Sequence, residues 1–244
     1  MSLLRINHLQ HAGEQDAAPH AHPQGQMFIV HAGLVSVEAG QGRWVMPPDC
    51  AGWVPPHVLH GATVHGAMRG MSLYFDEDFS HARMPASLKV VRLTPLLAAL
   101  LAEIADIAGS VPGNHMDSYL QVLADLCNRL PAQMLFLPMP VDSRLLGLCT
   151  HALREPDVAL HLDAWAQEAG MSRRTLTRRF QQQTGWSIGH WHQQMRLLLA
   201  LEKLSAGDAV TTVALDMGYQ SVSAFIAMFR QYMGTTPKAW LENR

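Results

Sequence analysis

The sequence of 244 residues has few charged residues, only three cysteines and no long apolar run. Charged residues make up 16% of the chain and hydrophobic residues 48%, which excludes an intrinsically disordered protein. An odd number of widely spaced cysteines (Cys50, Cys127 and Cys149) does not suit a disulfide framework and indicates reduced thiols. No apolar run reaches the roughly 18–20 residues that span a bilayer, and the first residues lack the apolar core of a signal peptide. We therefore expect a globular, cytoplasmic protein with no membrane contact.

An excess of positive charge is also missing, since the net charge is −2. This average argues weakly against nucleic acid as a partner. The charge is unevenly distributed, however: residues 141–244 hold 11 Lys and Arg against 9 Asp and Glu. Four arginines fall within seven residues of this part, namely Arg173, Arg174, Arg178 and Arg179. A local basic cluster of this kind is a feature of DNA-binding surfaces.

The residue pattern changes from β to α along the chain. Short apolar runs divided by glycine and proline predict strands between residues 20 and 80, as in a barrel or sandwich. These runs are Met27–Val30, Leu34–Glu38, Arg43–Met46, Ala51–Val54 and Met71–Phe75. Apolar residues at helical spacing then predict two helices at about 94–131. With a linker predicted at 137–140, between prolines, we expect two domains: residues 1–136, with a barrel at about 1–85, and residues 141–244.

Residues 162–237 contain the same arrangement twice. The first copy, LDAWAQEAGMSRRTLTRRFQQQTG, aligns with the second, VTTVALDMGYQSVSAFIAMFRQYMG, so that Gly170 matches Gly218 and Phe180 matches Phe229. Each copy predicts a short helix, a turn that contains glycine, and a longer helix that begins at a serine. This is the pattern of a helix-turn-helix, whose second helix enters the major groove of DNA. Two such units predict double-stranded DNA as a partner.

The first candidate recognition helix begins at Ser172, and its Leu176 and Phe180 share one face that is predicted to be buried. The opposite face is predicted to meet base edges, because arginine pairs with guanine and Thr or Gln with other bases. The residues of that face are Arg174, Thr177, Arg178 and Gln181. The flanking side chains, which we expect near phosphates, are Arg173 and Arg179.

The second candidate recognition helix begins at Ser221 and is predicted to bury Phe225 and Phe229. Its opposite face is small and partly apolar, which suits a thymine methyl group or a phosphate better than a guanine edge. The residues of that face are Ser223, Ile226, Ala227 and Arg230. We therefore expect most of the base specificity in the first unit.

The segments AGMSRRTLTRRFQQQTGWS, RLLLALEKL and VALDMGYQSVSAFIAMFRQYMGTTP resemble the DNA-binding domain of AraC/XylS-family transcription regulators over about residues 141–242. The resemblance implies seven helices and two recognition helices in successive major grooves. It favours a homodimer through the helices at 94–131, although their apolar faces could instead cover the barrel, and their spacing is equally compatible with a monomer. It leaves RNA polymerase as a candidate partner. The base contacts that it implies fall on Arg174, Thr177 and Arg178, and in the second unit on Val222, Ser223, Ile226 and Ala227. Many relatives have an arginine where this chain has Ala227.

Histidines are concentrated in the first part of the chain, with eight of the fourteen in residues 1–65. Imidazoles that converge from separate strands inside a barrel favour Zn, Ni, Fe or Cu. The pattern resembles the cupin barrel, whose motifs supply two His and a Glu, then one His. Here Gln26 replaces the Glu, His57 stands where glycine is usual and Val64 where asparagine is usual. The expected ligands of a divalent metal are His20, His22, Gln26 and His60.

Other roles for this barrel stay open. The histidines could instead bind an organic effector through hydrogen bonds, or have no function. An apolar effector pocket lined by Phe28, Trp44 and Trp53 is a further expectation, with the barrel core as the alternative role of each ring.

The fold class expected is therefore α+β: a cupin-like barrel with two following helices, then an all-α domain with two helix-turn-helix units. The expected function is a sequence-specific DNA-binding regulator controlled by a small-molecule or metal effector. The alternative is a metal-dependent cupin oxygenase or isomerase, which needs an open metal position and a nearby acid or base. We do not expect an enzyme, because no clear acid or base accompanies the histidines.

Overall fold

The computed structural model describes residues 2–13, 15–40, 42–108, 113–132 and 135–242, with the backbone alone at 113–115. The chain divides into two compact units, Met1–Gly40 with Trp44–Leu135 and Gln41–Arg43 with Phe136–Arg244. The first unit is built mainly of strands and the second mainly of helices, which confirms the predicted α+β fold class. None of the described helices is long and apolar enough to cross a membrane.

Antiparallel strands form the barrel of the first unit. Strand β6 pairs with β1, β2 and β3, while β5 pairs with β3 and β7. The strands are β1 Leu3–His11, β2 Gln15–His20, β3 Gly25–Ala39, β4 Gly42–Met46, β5 Cys50–Val54, β6 His60–Phe75 and β7 Lys89–Arg92. The predicted barrel began at about residue 1, but no strand pattern was found before residue 20, where β1 and β2 lie. Strand β2 is exposed along its whole length, so it carries no alternation of apolar and polar residues that could reveal it.

Two glycines bend the long strands of the barrel. Gly33 in β3 has φ +85° and Gly66 in β6 has φ +75°, and the β3–β6 register shifts between Val30 and Leu34. A side chain at Gly33 would collide with the carbonyl oxygen of Ala67. Glycine is therefore required at this bulge, where the sequence pattern had predicted a break between two strands.

The two faces of β3 pack into different hydrophobic clusters. Met27 and Ile29 pack in a cluster that also contains buried residues of helices α2 (Pro95–Ile107) and α3 (Gly113–Arg129). Phe28 and Val30 belong to a second cluster, with Val35 and Val64. Because side chains alternate across a strand, successive residues of β3 point in turn to the helices and to the barrel interior. Helix α1, Glu77–Arg83, completes the helices of this unit in the described residues.

The described part of the second unit contains seven helices, as the family resemblance implied. They are α4 Ser143–Arg154, α5 Leu162–Glu168, α6 Arg173–Thr184, α7 Ile188–Ala206, α8 Val210–Asp216, α9 Val222–Met233 and α10 Pro237–Glu242. Helix α7 lies at the centre of the unit and has buried residues along its length. It is the predicted spacer between the two helix-turn-helix units.

The segment predicted as a linker, 137–140, is only partly irregular. Phe136–Pro138 form strand β8, and Leu137 is fully buried. The indole Nε1 of Trp191 in α7 donates a hydrogen bond of 2.7 Å to the carbonyl oxygen of Pro138. The apolar residues of this segment therefore anchor it to α7.

Candidate functional site

The two helix-turn-helix units share the same turn. Each short helix ends with a glycine in the left-handed region, Gly170 at φ +62° and Gly218 at φ +73°. In the first unit the amide of Met171 donates to the carbonyl oxygen of Ala166, and in the second the amide of Tyr219 donates to that of Ala214. This is the hydrogen bond of a Schellman motif, which needs an αL residue after the helix. The sequence duplication is therefore also a duplication of backbone geometry.

Both recognition helices begin and pack as predicted. The hydroxyl oxygens of Ser172 and Ser221 accept hydrogen bonds from the amides of Thr175 and Ala224, so each serine is an N-cap. The predicted core pairs have no exposed surface; they are Leu176 and Phe180 in α6, and Phe225 and Phe229 in α9. Burial of these pairs fixes which face of each helix points outward.

The outward face of α6 carries the predicted base-reading residues. Arg174, Arg178 and Gln181 are exposed and Thr177 is half-buried. Neither Arg174 nor Arg178 has an ion-pair partner among the described residues, so both guanidinium groups are available to a ligand. The Thr177 hydroxyl lies within hydrogen-bonding distance of the carbonyl oxygens of Arg173 and Arg174, to which it donates. With its proton directed to these carbonyl oxygens, the hydroxyl oxygen can still accept a hydrogen bond.

The two flanking arginines differ from each other. Arg173 Nη1 lies 3.5 Å from Asp163 Oδ2, and both side chains are well exposed. Arg179 Nη1 lies 3.5 Å from Oδ2 of the less exposed Asp142, the N-cap of α4. A hydrogen bond from the Arg144 side chain lowers the pKa of the Asp142 carboxyl, which keeps this partner of Arg179 anionic. Arg179 thus has a partner inside its own domain, and its contact with a phosphate stays a prediction.

The outward face of α9 is a shallow depression. Ser223, Ile226, Ala227, Arg230 and Gln231 line it together. Four of these are the predicted contacts, and Gln231 is a neighbour that the sequence argument missed. Val222, the first residue of the helix, is half-buried, and Ser221 is exposed with its hydroxyl at the N-cap. Ile226 and Ala227 offer an apolar surface that suits a methyl group, and Ser223 and Arg230 are donors that suit the backbone of DNA.

The predicted metal ligands meet at one place in the barrel. His20 ends β2, His60 begins β6 directly opposite it in the strand register, and His22 follows β2. One ring nitrogen from each lies within 4.8 Å of one from each of the others. The amide oxygen of Gln26, near the start of β3, lies 3.0 Å from His22 Nε2 and 3.3 Å from His60 Nε2. Strands far apart in sequence thus bring all four predicted side chains together.

Backbone carbonyl groups fix the tautomer of all three histidines. The Nδ1 atoms of His20, His22 and His60 lie 2.9, 2.8 and 2.8 Å from the carbonyl oxygens of Ala18, Gln24 and Val58. A carbonyl oxygen only accepts, so each Nδ1 carries the proton and each neutral ring keeps its lone pair on Nε2. Burial lowers the pKa of His60, which favours its neutral form. A carbonyl group bonded to the other ring nitrogen commonly orients a metal-binding histidine and fixes its tautomer.

Gln26 is held by hydroxyl groups on the opposite side of its amide. Its Nε2 lies 2.9 Å from the Tyr74 hydroxyl and 3.4 Å from that of Ser72. In this orientation Oε1 faces the imidazole lone pairs, an arrangement that is favourable when a cation lies between them. Rotation of the amide by half a turn would instead let its NH₂ donate to His22 and His60 while the hydroxyls donate to its oxygen. Gln26 is therefore satisfied both with and without a metal.

The histidine nitrogens fit a divalent metal by type and by distance. Zinc binds histidine nitrogen at about 2.0–2.1 Å, so the three rings would each move inward by about 1 Å or less. His57, which stands where cupins usually have glycine, has φ +61°. It adopts the left-handed conformation that glycine favours. Position 57 therefore has a backbone conformation that suits the glycine usual in cupins.

A cavity of about 180 Å³ adjoins the histidines. Phe28 lines it, as predicted, together with His20, Gln26 and His60. Tyr74, Ser72, His11 and Gln15 also line the cavity, and sequence reasoning missed these four. Their membership depends on which strands pair with which, and residue pattern alone does not reveal strand pairing.

The two tryptophans predicted to line the effector pocket are not among its lining residues. Trp53 is paired with Met27 across β5 and β3, and directly paired residues point to the same face of a sheet. Its ring therefore packs toward the helices, and its Nε1 donates to the carbonyl oxygen of Pro85. Trp44 is half-buried against the second cluster. Trp53 is thus a core residue, the alternative role considered above.

Comparison with known proteins identifies the family. Residues 8–133 match the family model of an AraC-like ligand binding domain, and residues 165–243 match that of a helix-turn-helix domain. The HTH-type transcriptional regulator NimR of Escherichia coli (strain K12) is 31% identical over 234 residues, which cover 95% of this chain and 85% of NimR. The chain belongs to the AraC family of transcriptional regulators. This AraC-family protein is a DNA-binding transcription regulator with a ligand-binding domain.

Two solved structures are also similar to this chain. ToxT from Vibrio cholerae is 11% identical with a TM-score of 0.42, covering 99% of this chain and 98% of ToxT. The DNA-binding domain of AdpA, solved with a target DNA, is 31% identical with a TM-score of 0.38, covering 40% of this chain and 88% of that domain. The family resemblance predicted from the recognition helices is thus confirmed by the family models and by NimR.

Proposed function

We propose that this AraC-family regulator is controlled by a divalent metal ion, Zn, Ni, Fe or Cu, bound by His20, His22 and His60 with Gln26 as a weaker fourth ligand. The observation that carries the proposal is the convergence of the three rings. One ring nitrogen of each histidine lies within 4.8 Å of one from each of the others. Each Nδ1 lies within hydrogen-bonding distance of a backbone carbonyl oxygen, which leaves the Nε2 lone pairs as the atoms that would bind a cation.

The regulatory step requires different metal affinities in two states of the protein. A ligand shifts an equilibrium only as far as it binds one arrangement better than the other. If metal changes the affinity for operator DNA, DNA must change the affinity for metal by the same factor. Coupling free energies of this kind are typically about 1–3 kcal/mol.

For the DNA-binding half we propose that α6 reads most of the base sequence. Arg174 and Arg178 are exposed and lack ion-pair partners among the described residues, and two long donors can reach guanine edges. The corresponding surface of α9 carries one arginine, Arg230, together with Ser223, Ile226, Ala227 and Gln231. We assign this second surface mainly to positioning on the phosphate backbone.

The metal proposal is tested by elemental analysis of full-length protein purified without a histidine tag. The wild type is expected to carry close to one metal ion per chain, and the double variant His20→Ala/His22→Ala to carry almost none. The matched control is His8→Ala/His81→Ala, which removes two exposed histidines outside the cluster. Equal metal content in both double variants, or none in wild type after metal is added and washed out, would disprove the site.

We also propose a homodimer formed through α2 and α3. These consecutive helices leave apolar side chains in solvent, Leu96 with 58% and Val122 with 45% of its surface exposed. Light scattering coupled to size-exclusion chromatography should give the mass of a dimer for wild type and of a monomer for Leu96→Lys. Leu215→Lys, at an exposed position in α8, is the matched control and should leave the mass unchanged. A monomeric wild type would contradict the proposal.

A further inference from the structure

The proposed metal site is made entirely of electrically neutral ligand groups. Each histidine offers a neutral Nε2, and Gln26 offers an amide oxygen instead of the carboxylate that the cupin motif usually has. The described residues that line the adjoining cavity include no Asp or Glu. A divalent ion held here would keep its double positive charge in a setting where Gln26 and His60 are buried. Uncompensated charge is costly away from bulk water.

The cavity limits what could supply the missing negative charge. Its volume of about 180 Å³ is slightly larger than the roughly 150 Å³ that suffices for benzene. Its walls are mostly apolar, with Phe28, Val35, Ala62, Val64 and Met68 among them. One ring or a chain of four to five carbons fits this space, and His20 at its edge is exposed, so the site opens to solvent.

We propose that the effector is a small apolar carboxylate, which binds the metal through its carboxylate and fills the cavity with its hydrocarbon part. The inference rests on the proposed metal site. The effector would supply the negative charge that the neutral Gln26 lacks. Aromatic acids and branched aliphatic acids both have this chemistry, and benzoate and 3-methylbutanoate serve as the test ligand for each kind.

The structure provides a matched test of the charge argument at Gln26. In Gln26→Glu the side chain keeps its shape but gains a negative charge. The hydroxyl groups of Tyr74 and Ser72 can rotate to donate to either side chain, so the barrel should tolerate the change. The variant should bind metal about tenfold more tightly or better, since carboxylate is a stronger metal ligand than amide. It should bind benzoate more weakly, because the charge of the metal is already partly balanced.

The experiment uses full-length protein loaded with Co(II), whose visible absorption reports its ligands. Benzoate and 3-methylbutanoate are titrated in, and benzamide serves as the neutral isostere. We expect at least one of the acids to change the spectrum with saturation and to bind at least about tenfold more tightly than benzamide, because opposite charges attract strongly inside a protein. Binding of that acid should fall by about tenfold or more in Gln26→Glu, for the same electrostatic reason.

A second variant tests the location of the hydrocarbon part. Ala62→Leu places a larger side chain in the cavity wall and should abolish benzoate binding while acetate binding and Co(II) content stay unchanged. If neither acid binds more tightly than benzamide, or if Gln26→Glu leaves the affinity for the acid that binds unchanged, the inference is overturned. Neither of these comparisons depends on the folding of Ala62→Leu. If Co(II) itself is not retained, the metal proposal fails; if Co(II) binds but no acid does, only the carboxylate inference fails.

Discussion

Replacement of Arg178 by alanine separates base reading from simple charge attraction. The guanidinium of Arg178 is exposed on α6 and has no ion pair among the described residues, so its loss should leave the unfolding free energy within about 0.5 kcal/mol of wild type. A bidentate contact to guanine contributes about 1–3 kcal/mol of discrimination. The affinity for the preferred operator should therefore fall about 5- to 150-fold, and preference at one base pair should relax.

The assay is a binding-site selection from random DNA, followed by titrations of the selected operator at several salt concentrations. Arg179→Ala is the control, because the neighbouring arginine is paired with Asp142. It should lower the melting temperature slightly and leave base preference unchanged. If Arg178→Ala kept the wild-type base preference and only reduced the salt dependence by about one phosphate contact, Arg178 would be a phosphate ligand. Our reading of α6 would then be wrong.

Three further predictions concern the second unit. Gly170 and Gly218 both have positive φ, but a Cβ on Gly170 would meet nothing within 4 Å, whereas one on Gly218 would lie 2.6 Å from the Asp157 carbonyl oxygen. Chemical denaturation should therefore show a larger loss of unfolding free energy for Gly218→Ala than for Gly170→Ala, and equal losses would refute the tight contact. The Arg196 guanidinium in α7 donates to the carbonyl oxygens of Pro156 and Val158 and lies near the ring of Tyr219, in the turn of the second helix-turn-helix. Because this contact helps to hold the second unit against α7, Arg196→Met should weaken binding to DNA contacted by both recognition helices by a larger factor than binding to DNA contacted by α6 alone, and equal factors on the two DNAs would show that Arg196 does not position the second unit. Burial, and secondarily Arg196, lowers the pKa of His192 to about 4, whereas an unfolded histidine titrates near 6.5. The unfolding free energy should therefore fall as pH drops from about 6.5 to 4, and an equally steep fall in His192→Gln would show that His192 is not responsible.

The DNA-binding half was predictable because its signals are local. Helix start at Ser172, burial of Leu176 and Phe180, and the glycine turn all follow from spacing within one short segment. The family resemblance supplied the count of seven helices. What the sequence did not show is the partner of Arg179, since Asp142 lies 37 residues earlier in the chain and meets it only through folding.

The barrel was less predictable because its contacts are mostly non-local. The cluster of His20, His22 and His60 was predicted from its resemblance to a motif, but the placement of Trp53 was wrong. Strand register, in which Trp53 pairs with Met27 and Gln26 with Tyr74, decides which residues share a face. A single sequence does not specify that register, and a shift by one residue would move every side chain to the other face.

The most direct test of metal control is the dissociation constant of Zn(II) for the full-length protein, measured with and without saturating operator DNA. Because linkage is reciprocal, we expect the two constants to differ by about fivefold or more, and the difference to disappear together with the metal in His20→Ala/His22→Ala. If Zn(II) binds equally tightly in both conditions, the metal does not regulate DNA binding, and the central claim is contradicted.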